Sequence, residues 1–108
     1  MTIQVRQPSR ATLRKYGLDY AAWLSMLNSQ NGVCAVCGKV PSSGMLVIDH
    51  FHAKGFRRMK AEQKRQHVRG LCCNYCNRWR VGKLDLTWAA AVLSYLEKHK
   101  NRSQSNAG

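Results

Sequence analysis

Two short stretches decide the fold, VCAVCG at residues 33–38 and CCNYC at residues 72–76, because each contains a Cys-x-x-Cys pair. A two-residue gap lets both sulfurs of a pair reach one ion, and four thiolates are a common tetrahedral ligand set for zinc. The role is structural, since four thiolates leave no open coordination position for a substrate. The expected zinc ligands are Cys34, Cys37, Cys73 and Cys76.

A metal tie suits a chain of 108 residues, which as one small domain buries a limited fraction of its surface. The rival interpretation is a redox-active dithiol, but the thioredoxin-like βαβ pattern that it needs is missing. The fifth cysteine, Cys72, is expected to be a small buried apolar residue, because the spacing to Cys76 selects Cys73 as the ligand. Two Cys pairs without a hydrophobic leader favour a reducing cytosol over a disulfide framework.

The charge balance indicates a polyanionic partner. Eighteen Lys and Arg residues against five Asp and Glu residues give a net charge of +13, which favours nucleic acid over a basic but merely solvated surface. A membrane surface is the weaker alternative, because the basic residues are spread along the chain and no apolar run approaches the roughly 20 residues that span a bilayer.

Helices are predicted at both ends of the chain. Leu13, Tyr16, Tyr20, Leu24 and Leu27 recur every three or four residues, with Gly17 interrupting them, so two consecutive helices are expected. Asp19 is the expected N-cap of the second helix and Asn31-Gly32 its expected C-cap. A last helix has Thr87 as its expected N-cap and Trp88, Val92, Tyr95 and Leu96 on one face. We expect one domain at residues 10–100, with flexible tails at residues 1–9 and 101–108.

A second group of polar residues lies beside a predicted strand. Residues 46–52 read LVIDHFH, a short apolar strand that ends at Asp49 and His50 with His52 beyond it, and Asn77 directly follows the last thiolate. Carboxylate and amide oxygens suit magnesium or manganese, and a neutral imidazole can accept a proton from water. Taken singly, the histidines could be ordinary strand residues and Asn77 could cap a turn.

Three segments in this order, VCAVCG at residues 33–38, LVIDHFH at residues 46–52 and VRGLCCNYCNR at residues 68–78, resemble the phage recombination endonuclease VII group of HNH nucleases. The resemblance extends over about residues 13–98 and includes both flanking helical stretches. It implies an α+β fold with a small ββα-metal core, the HNH or His-Me finger, closed by a four-cysteine zinc site and flanked by N-terminal and C-terminal helices.

The resemblance also implies a set of roles. Asp49 and Asn77 would hold one catalytic Mg²⁺ or Mn²⁺, His50 would activate the attacking water, and His52 would lie near the metal or the scissile phosphate. The implied activity is hydrolysis of DNA phosphodiester bonds, by nicking or by double-strand cleavage. The alternatives are a zinc-knuckle protein that binds DNA or RNA without cutting it, and an inactive partner of another nuclease.

The chain departs from the family pattern in three places. Phe51 replaces an acid, and its side chain is expected to point away from its strand neighbours; Arg80 stands where a relative carries a glutamate. Residues 53–67 form a basic insertion, expected to clamp substrate, with a solvated loop as the alternative. The residues expected to contact nucleic acid are Lys54, Arg57, Arg58, Lys60, Lys64, Arg65, Arg69, Arg78 and Arg80.

The expected partner is therefore DNA, in duplex, nicked or branched form, with no membrane association. A monomer is expected, with a dimer as the alternative. The resemblance implies phage or prophage origin and a location in the cytoplasm of a bacterial host cell.

Overall fold

The computed structural model describes residues 5–82 and 84–107 and shows a small α+β fold in which helices surround one two-stranded sheet. The predicted α+β class is confirmed. In chain order the elements are α1 (Arg10–Lys15), α2 (Tyr20–Ser29), β1 (Val47–His50), a 3-10 helix (Phe56–Arg58), α3 (Ala61–His67), β2 (Val68–Cys72), a π-helix (Cys76–Val81) and α4 (Leu86–Ala107).

The second helix begins and ends where its capping residues predict. The Asp19 carboxylate accepts a hydrogen bond of 2.8 Å from the Ala22 N–H, which satisfies one of the free donors at the start of α2. After α2, Asn31 and Gly32 have φ angles of 59° and 73°. This left-handed conformation ends the helix and turns the chain toward the first Cys pair.

The core lies between these helices and the sheet. Leu13 and Leu27 are buried as the apolar stripe predicts, but Tyr20 is 45% exposed and Trp23 takes the inward position, at 2% exposure. A single helical stripe drawn through both helices fails because the Gly17 turn changes the direction of the chain. The buried apolar residues are Val5, Leu13, Leu18, Trp23, Leu27, Cys34, Leu46, Ile48, Leu71, Cys72 and Cys76.

The sheet contains an irregularity next to the predicted polar site. Strands β1 and β2 are antiparallel; Asp49 pairs with Gly70, but the following pair joins His50 to Val68. Arg69 is therefore an extra residue on β2, which is the arrangement of a β-bulge. A bulge turns a side chain away from the regular alternation of a strand, and here that side chain is a guanidinium.

One side chain attaches α2 to β2. The Gln30 amide accepts a hydrogen bond of 2.9 Å from the Leu71 N–H and donates to the Leu71 carbonyl at 2.8 Å and the Val33 carbonyl at 2.9 Å. The Leu71 carbonyl also accepts from the Ala35 N–H at 3.0 Å. Gln30 therefore holds the first Cys pair against the strand that leads into the second.

The basic insertion is folded. It forms the 3-10 helix and α3, and the Arg65 Nε donates to the Gly17 carbonyl at 2.9 Å. Gly17 has a φ angle of 71°, and a Cβ there would collide with the Ala61 carbonyl oxygen, so the turn between α1 and α2 accepts α3 only because it is glycine. The insertion thus packs on the N-terminal helices.

The structure describes part of both expected tails. Val5 is 7% exposed and belongs to the core, and the Arg6 N–H donates to the Gly44 carbonyl at 2.8 Å. Val5 and Arg6 therefore contact the rest of the domain, while the expected domain bounds, residues 10–100, stay a prediction. At the other end α4 continues to Ala107. Residues 1–4 and Gly108 lie outside the described residues.

The apolar face of α4 is exposed to solvent. Trp88, Tyr95 and Leu96 are 63%, 64% and 58% exposed, and Val92 is 46% exposed. The sequence predicts that these four residues share one face, but within residues 5–82 and 84–107 no element covers it. The expected N-cap, Thr87, is wrong because it lies inside the helix; the cap is Asp85, whose carboxylate accepts from the Trp88 N–H at 2.8 Å.

Candidate functional site

The four predicted cysteines form one cluster, hereafter the thiolate cluster. The sulfurs of Cys34, Cys37, Cys73 and Cys76 all lie within 4.8 Å of one another, and those of Cys37 and Cys73 are 4.0 Å apart. Tetrahedral zinc binds thiolates at about 2.3 Å, which separates neighbouring sulfurs by about 3.8 Å. The cluster therefore fits zinc both in ligand type and in spacing.

Backbone N–H groups stabilise the charged form of the Cys34 sulfur. Burial raises the pKa of Cys34, but hydrogen bonds from the backbone at Cys37, Cys73 and Val36 outweigh it, and the pKa falls to about 6. The sulfur of Cys72 does not belong to this group of four, and burial raises the pKa of its thiol to about 12. The choice of Cys73 over Cys72 as the ligand is thereby supported.

Arg80 contacts the cluster from the π-helix. Its Nη1 donates to the Cys76 sulfur at 3.3 Å, and its Cζ lies 4.9 Å from the centroid of the Tyr75 ring. A zinc ion with four thiolates has a net charge of −2, so a guanidinium beside it reduces the cost of burying that charge. This contact gives the arginine a structural role in addition to the expected one toward DNA.

Asp49 lies at the bulge and is paired with Arg69. The carboxylate is 4% exposed; it accepts from the Arg69 Nε at 2.7 Å and from Nη2 at 3.0 Å. The same Nη2 reaches the Val81 carbonyl at 3.5 Å, which joins the bulge to the end of the π-helix. A cation therefore already contacts both carboxylate oxygens, although each oxygen keeps a further lone pair.

His50 lies among aromatic rings. Its ring centroid is 4.5 Å from that of Phe56 in the insertion, 5.2 Å from that of Tyr16, and 4.7 Å from that of His52, to which it is nearly parallel. Burial lowers the pKa of His50, the charges of His52, Arg69 and Lys15 lower it further, and Asp49 opposes them. The imidazole is therefore neutral near pH 7 and can accept a proton.

A cleft of about 350 Å³ opens at His50 and is basic at its rim. Three cations line it, one from α1 and two from the insertion, and its only ionisable groups of other types are the two histidines and a tyrosine. This composition suits a phosphate backbone. The lining residues are Lys15, Tyr16, His50, His52, Ala53, Phe56, Arg57 and Lys64.

Asp49 and His50 open toward different sides of the strand end. Asp49 lines a groove with Phe51, Arg69 and the first turn of α4, whereas His50 lines the basic cleft. His52 lines both the basic cleft and a small pocket that contains Arg69, so it lies between the two openings. Asp49 and His50 are therefore connected indirectly, through His52 between the two openings and through the bulge at Arg69.

Asn77 follows the thiolate cluster within the π-helix, and its carbonyl oxygen faces Gly82 at the end of that helix. Within residues 5–82 and 84–107 no hydrogen bond joins its side chain to Asp49, and it lines neither the Asp49 groove nor the basic cleft. The π-helix that contains Asn77 is linked to β2 by the contact of the Arg69 Nη2 with the Val81 carbonyl. The expected pairing of Asn77 with Asp49 therefore stays a prediction.

The nine expected DNA contacts fall into distinct settings. Arg57 and Lys64 line the basic cleft, whereas Arg65, Arg69 and Arg80 are engaged within the protein. The remaining expected contacts are exposed: Lys54, Arg58, Lys60 and Arg78.

Sequence reasoning missed four residues of the cleft, namely Lys15, Tyr16, Ala53 and Phe56. The sequence places Tyr16 in a core-facing stripe and gives Lys15 no role, and Ala53 and Phe56 belong to an insertion interpreted from its charge alone. A lone aromatic residue in a basic segment is the signal that could have revealed Phe56, because such a residue tends to be buried against a neighbour.

Comparison with known families gives one result. The family model of recombination endonuclease VII matches residues 9–98, which is most of the chain. The chain belongs to the recombination endonuclease VII family. Membership assigns a nuclease function with DNA as the substrate, and the thiolate cluster of this family member fits a zinc ion.

No curated protein and no solved structure matches the chain. Among the helices of the described residues, none has the length and apolar character required to cross a membrane.

Proposed function

We propose that this endonuclease VII family member is an HNH-type enzyme that hydrolyses DNA phosphodiester bonds with one divalent metal ion, cutting one or both strands. The observation that carries the proposal is the adjacency of a buried carboxylate, Asp49, and a half-buried neutral imidazole, His50, at the end of β1. No other acidic residue among residues 5–82 and 84–107 is buried.

His50 is the proposed general base. Its neutral form accepts a proton from the attacking water, and the rings of Phe56 and Tyr16 hold the imidazole in one orientation. His52, stacked on His50, faces the same cleft, where it can contact the scissile phosphate. The products of this reaction carry a 5′ phosphate and a 3′ hydroxyl.

Asp49 and Asn77 are the proposed ligands of the catalytic ion. Carboxylate and amide oxygens are the donors that Mg²⁺ and Mn²⁺ prefer. The positively charged guanidinium of Arg69 already pairs with the Asp49 carboxylate, which a divalent ion would also contact. When bound, such an ion supplies neutralisation of the negative charge that develops on the phosphate. Arg69 must then share or release the carboxylate, and once released it can bind a phosphate oxygen.

The cations of the basic cleft are proposed to hold the DNA backbone. Lys15, Arg57 and Lys64 come from α1, the 3-10 helix and α3, and they converge on His50. Contacts of this kind give salt-dependent affinity with little sequence preference. The exposed cations of the insertion, Lys54, Arg58 and Lys60, would extend the same surface.

The test is cleavage of supercoiled plasmid by zinc-loaded protein with added Mg²⁺ or Mn²⁺. His50→Ala should lower the rate by about 10²-fold to 10⁴-fold, the usual contribution of a general base, while DNA binding and zinc content stay unchanged. His99→Ala is the matched control, because that histidine lies on α4 beside Tyr95. Full activity of His50→Ala would refute the assignment.

A non-catalytic binding protein is the alternative function. The ion pair of Asp49 with Arg69 favours it, because the pair gives the carboxylate a purely structural explanation. This alternative predicts DNA binding with no cleavage under any divalent ion, in the wild-type protein and in His50→Ala alike.

A further inference from the structure

Two tryptophans are exposed on the same side of the molecule. Trp79, in the π-helix, is 69% exposed and Trp88, in the first turn of α4, is 63% exposed, whereas Trp23 is 2% exposed in the core. Large apolar side chains that remain uncovered mark interaction sites when they lie together. Both tryptophans line a single cleft of about 550 Å³, completed by Arg78, Arg80 and Leu84 and hereafter called the tryptophan cleft.

Two structural features hold the backbone that carries these tryptophans. Trp79 lies three residues after Cys76, a residue of the thiolate cluster, and Trp88 lies in the first turn of a helix that Asp85 caps. The guanidinium carbon of Arg78 lies 5.5 Å from the centroid of the Trp79 ring. The cleft therefore presents two aromatic faces with guanidinium groups beside them, and its lining residues include no acid.

This combination is the one that holds unpaired nucleobases. Aromatic side chains stack with bases of any sequence, and adjacent arginines contact the phosphates on either side. In a duplex both faces of an internal base are already stacked, so such a base cannot enter the cleft. The occupant that fits is a base that has left the duplex or lies in a single strand.

We propose that Trp79 and Trp88 form a stacking site for an unpaired base of the DNA substrate, with Arg78 as a flanking phosphate contact. The inference deepens the proposed function, on which it rests only for DNA as the ligand. The site is separate from the residues that we assign to catalysis, because neither tryptophan lines the Asp49 groove or the basic cleft.

A second copy of the chain is the competing occupant, since interfaces between proteins are also rich in tryptophan and arginine. The charge of the chain argues against it. Each copy carries +13, and joining two surfaces that already contain arginine brings like charges together. A polyanion instead meets these charges with the opposite sign.

The experiment measures binding by zinc-loaded protein, without added Mg²⁺ or Mn²⁺, of fluorescent oligothymidine and of a fluorescent hairpin duplex. Stacking on one aromatic residue contributes about 1 to 3 kcal/mol, so Trp79→Ala should weaken binding of oligothymidine about 5-fold to 150-fold. Trp79→Phe should keep most of the affinity. Duplex binding should change little, and the tryptophan fluorescence of the wild-type protein should fall when oligothymidine binds.

The matched control is Tyr95→Ala, which removes another exposed aromatic ring of α4, 64% exposed and outside the tryptophan cleft. It should bind both DNAs as the wild type does. The proposal is overturned if Trp79→Ala and Trp88→Ala bind oligothymidine with wild-type affinity, or if they lose duplex binding to the same extent. It is also overturned if sedimentation shows a wild-type dimer that these variants convert to a monomer with unchanged DNA binding. Because no cleavage is measured, failure of the catalytic assignment would leave this result unaffected.

Discussion

The two ends of β2 show two ways of making a site. At one end the strand leads into Cys73 and the thiolate cluster, where four ligands of one type come from two short turns. At the other end Arg69 bulges out to meet Asp49, beside His50. Here the participating residues come from α1, β1, the insertion and β2, and they differ in chemistry. This second region is called the Asp49–His50 site below.

The difference concerns what each site needs in order to form. We expect the thiolate cluster to need an ion, because four sulfurs within 4.8 Å of one another repel once they are ionised. The Asp49–His50 site is held without an ion, since a guanidinium neutralises the carboxylate and three aromatic rings surround the imidazole. We therefore expect loss of the first to unfold the domain and changes in the second to alter its chemistry.

The largest expected effect tests the thiolate cluster. Cys34→Ser should lose zinc and unfold the domain, because binding of structural zinc supplies on the order of 10 to 16 kcal/mol of folding free energy in small domains. Circular dichroism and zinc content measure this. Chelation of zinc from the wild-type protein should have the same result.

Cys72→Ala is the matched control, since Cys72 is also a buried cysteine but lies outside the cluster. It should keep zinc and remain folded. A folded Cys34→Ser protein without zinc would contradict the comparison, because the cluster would then resemble the Asp49–His50 site in needing no ion.

The same difference explains what could be predicted from the sequence. The thiolate cluster could be predicted because the spacing of its cysteine pairs is local, and the Asp19 N-cap and the turn at Asn31 could be predicted for the same reason. The pairing of Asp49 with Arg69 could not be predicted, because the bulge at Arg69 has no local sequence signature and depends on how two distant strands pair. Likewise Phe56 and Tyr16 reach His50 only through tertiary packing.

The second prediction concerns the aromatic surroundings of His50. Phe56→Ala removes the ring nearest to the imidazole, and loss of orientation should lower the cleavage rate by up to about 10²-fold. Burial lowers the pKa of His50, so exposing the ring to water should raise that pKa toward its ordinary value of 6.5. The base is then neutral only at higher pH, and the acidic limb of the rate profile should move upward.

Phe51→Ala is the control, because Phe51 is 56% exposed and lines the Asp49 groove instead of the basic cleft. Its acidic limb should stay in place. If Phe56→Ala leaves both the rate and the acidic limb unchanged, the insertion does not support His50, and the Asp49–His50 site forms without it.

The third prediction concerns the cation that already contacts Asp49. Arg69→Gln removes two charge-assisted hydrogen bonds to the carboxylate, so a divalent ion no longer competes with a guanidinium. The affinity for Mn²⁺ should increase by about tenfold, the equivalent of about 1.4 kcal/mol. Calorimetric titration of zinc-loaded protein measures it. Without Mn²⁺ the zinc-loaded variant should also be less stable than the wild type, because the buried carboxylate loses its partner.

Arg10→Gln, a change of the same type on exposed α1, should leave the Mn²⁺ affinity unaltered. If Arg69→Gln binds Mn²⁺ as the wild type does, or more weakly, then Asp49 is a structural residue. The sites at both ends of β2 would then only stabilise the fold, and the non-catalytic alternative would gain support.

The prediction with the smallest expected effect compares two regions as DNA-binding surfaces: the insertion beside the basic cleft and the surface next to the thiolate cluster. Lys54 is exposed in the insertion beside the basic cleft, whereas Lys39 is exposed next to the first Cys pair. If the backbone of DNA follows the insertion, Lys54→Gln removes one phosphate contact and should reduce the slope of log affinity against log salt by about 0.9. Lys39→Gln should leave that slope unchanged. Anisotropy titrations of a duplex at several salt concentrations compare them. Equal reductions of the slope in both variants would mean that the charge of +13 attracts DNA to the whole surface and that the insertion only supports His50. A reduction of the slope in Lys54→Gln alone would mean that the insertion clamps the substrate.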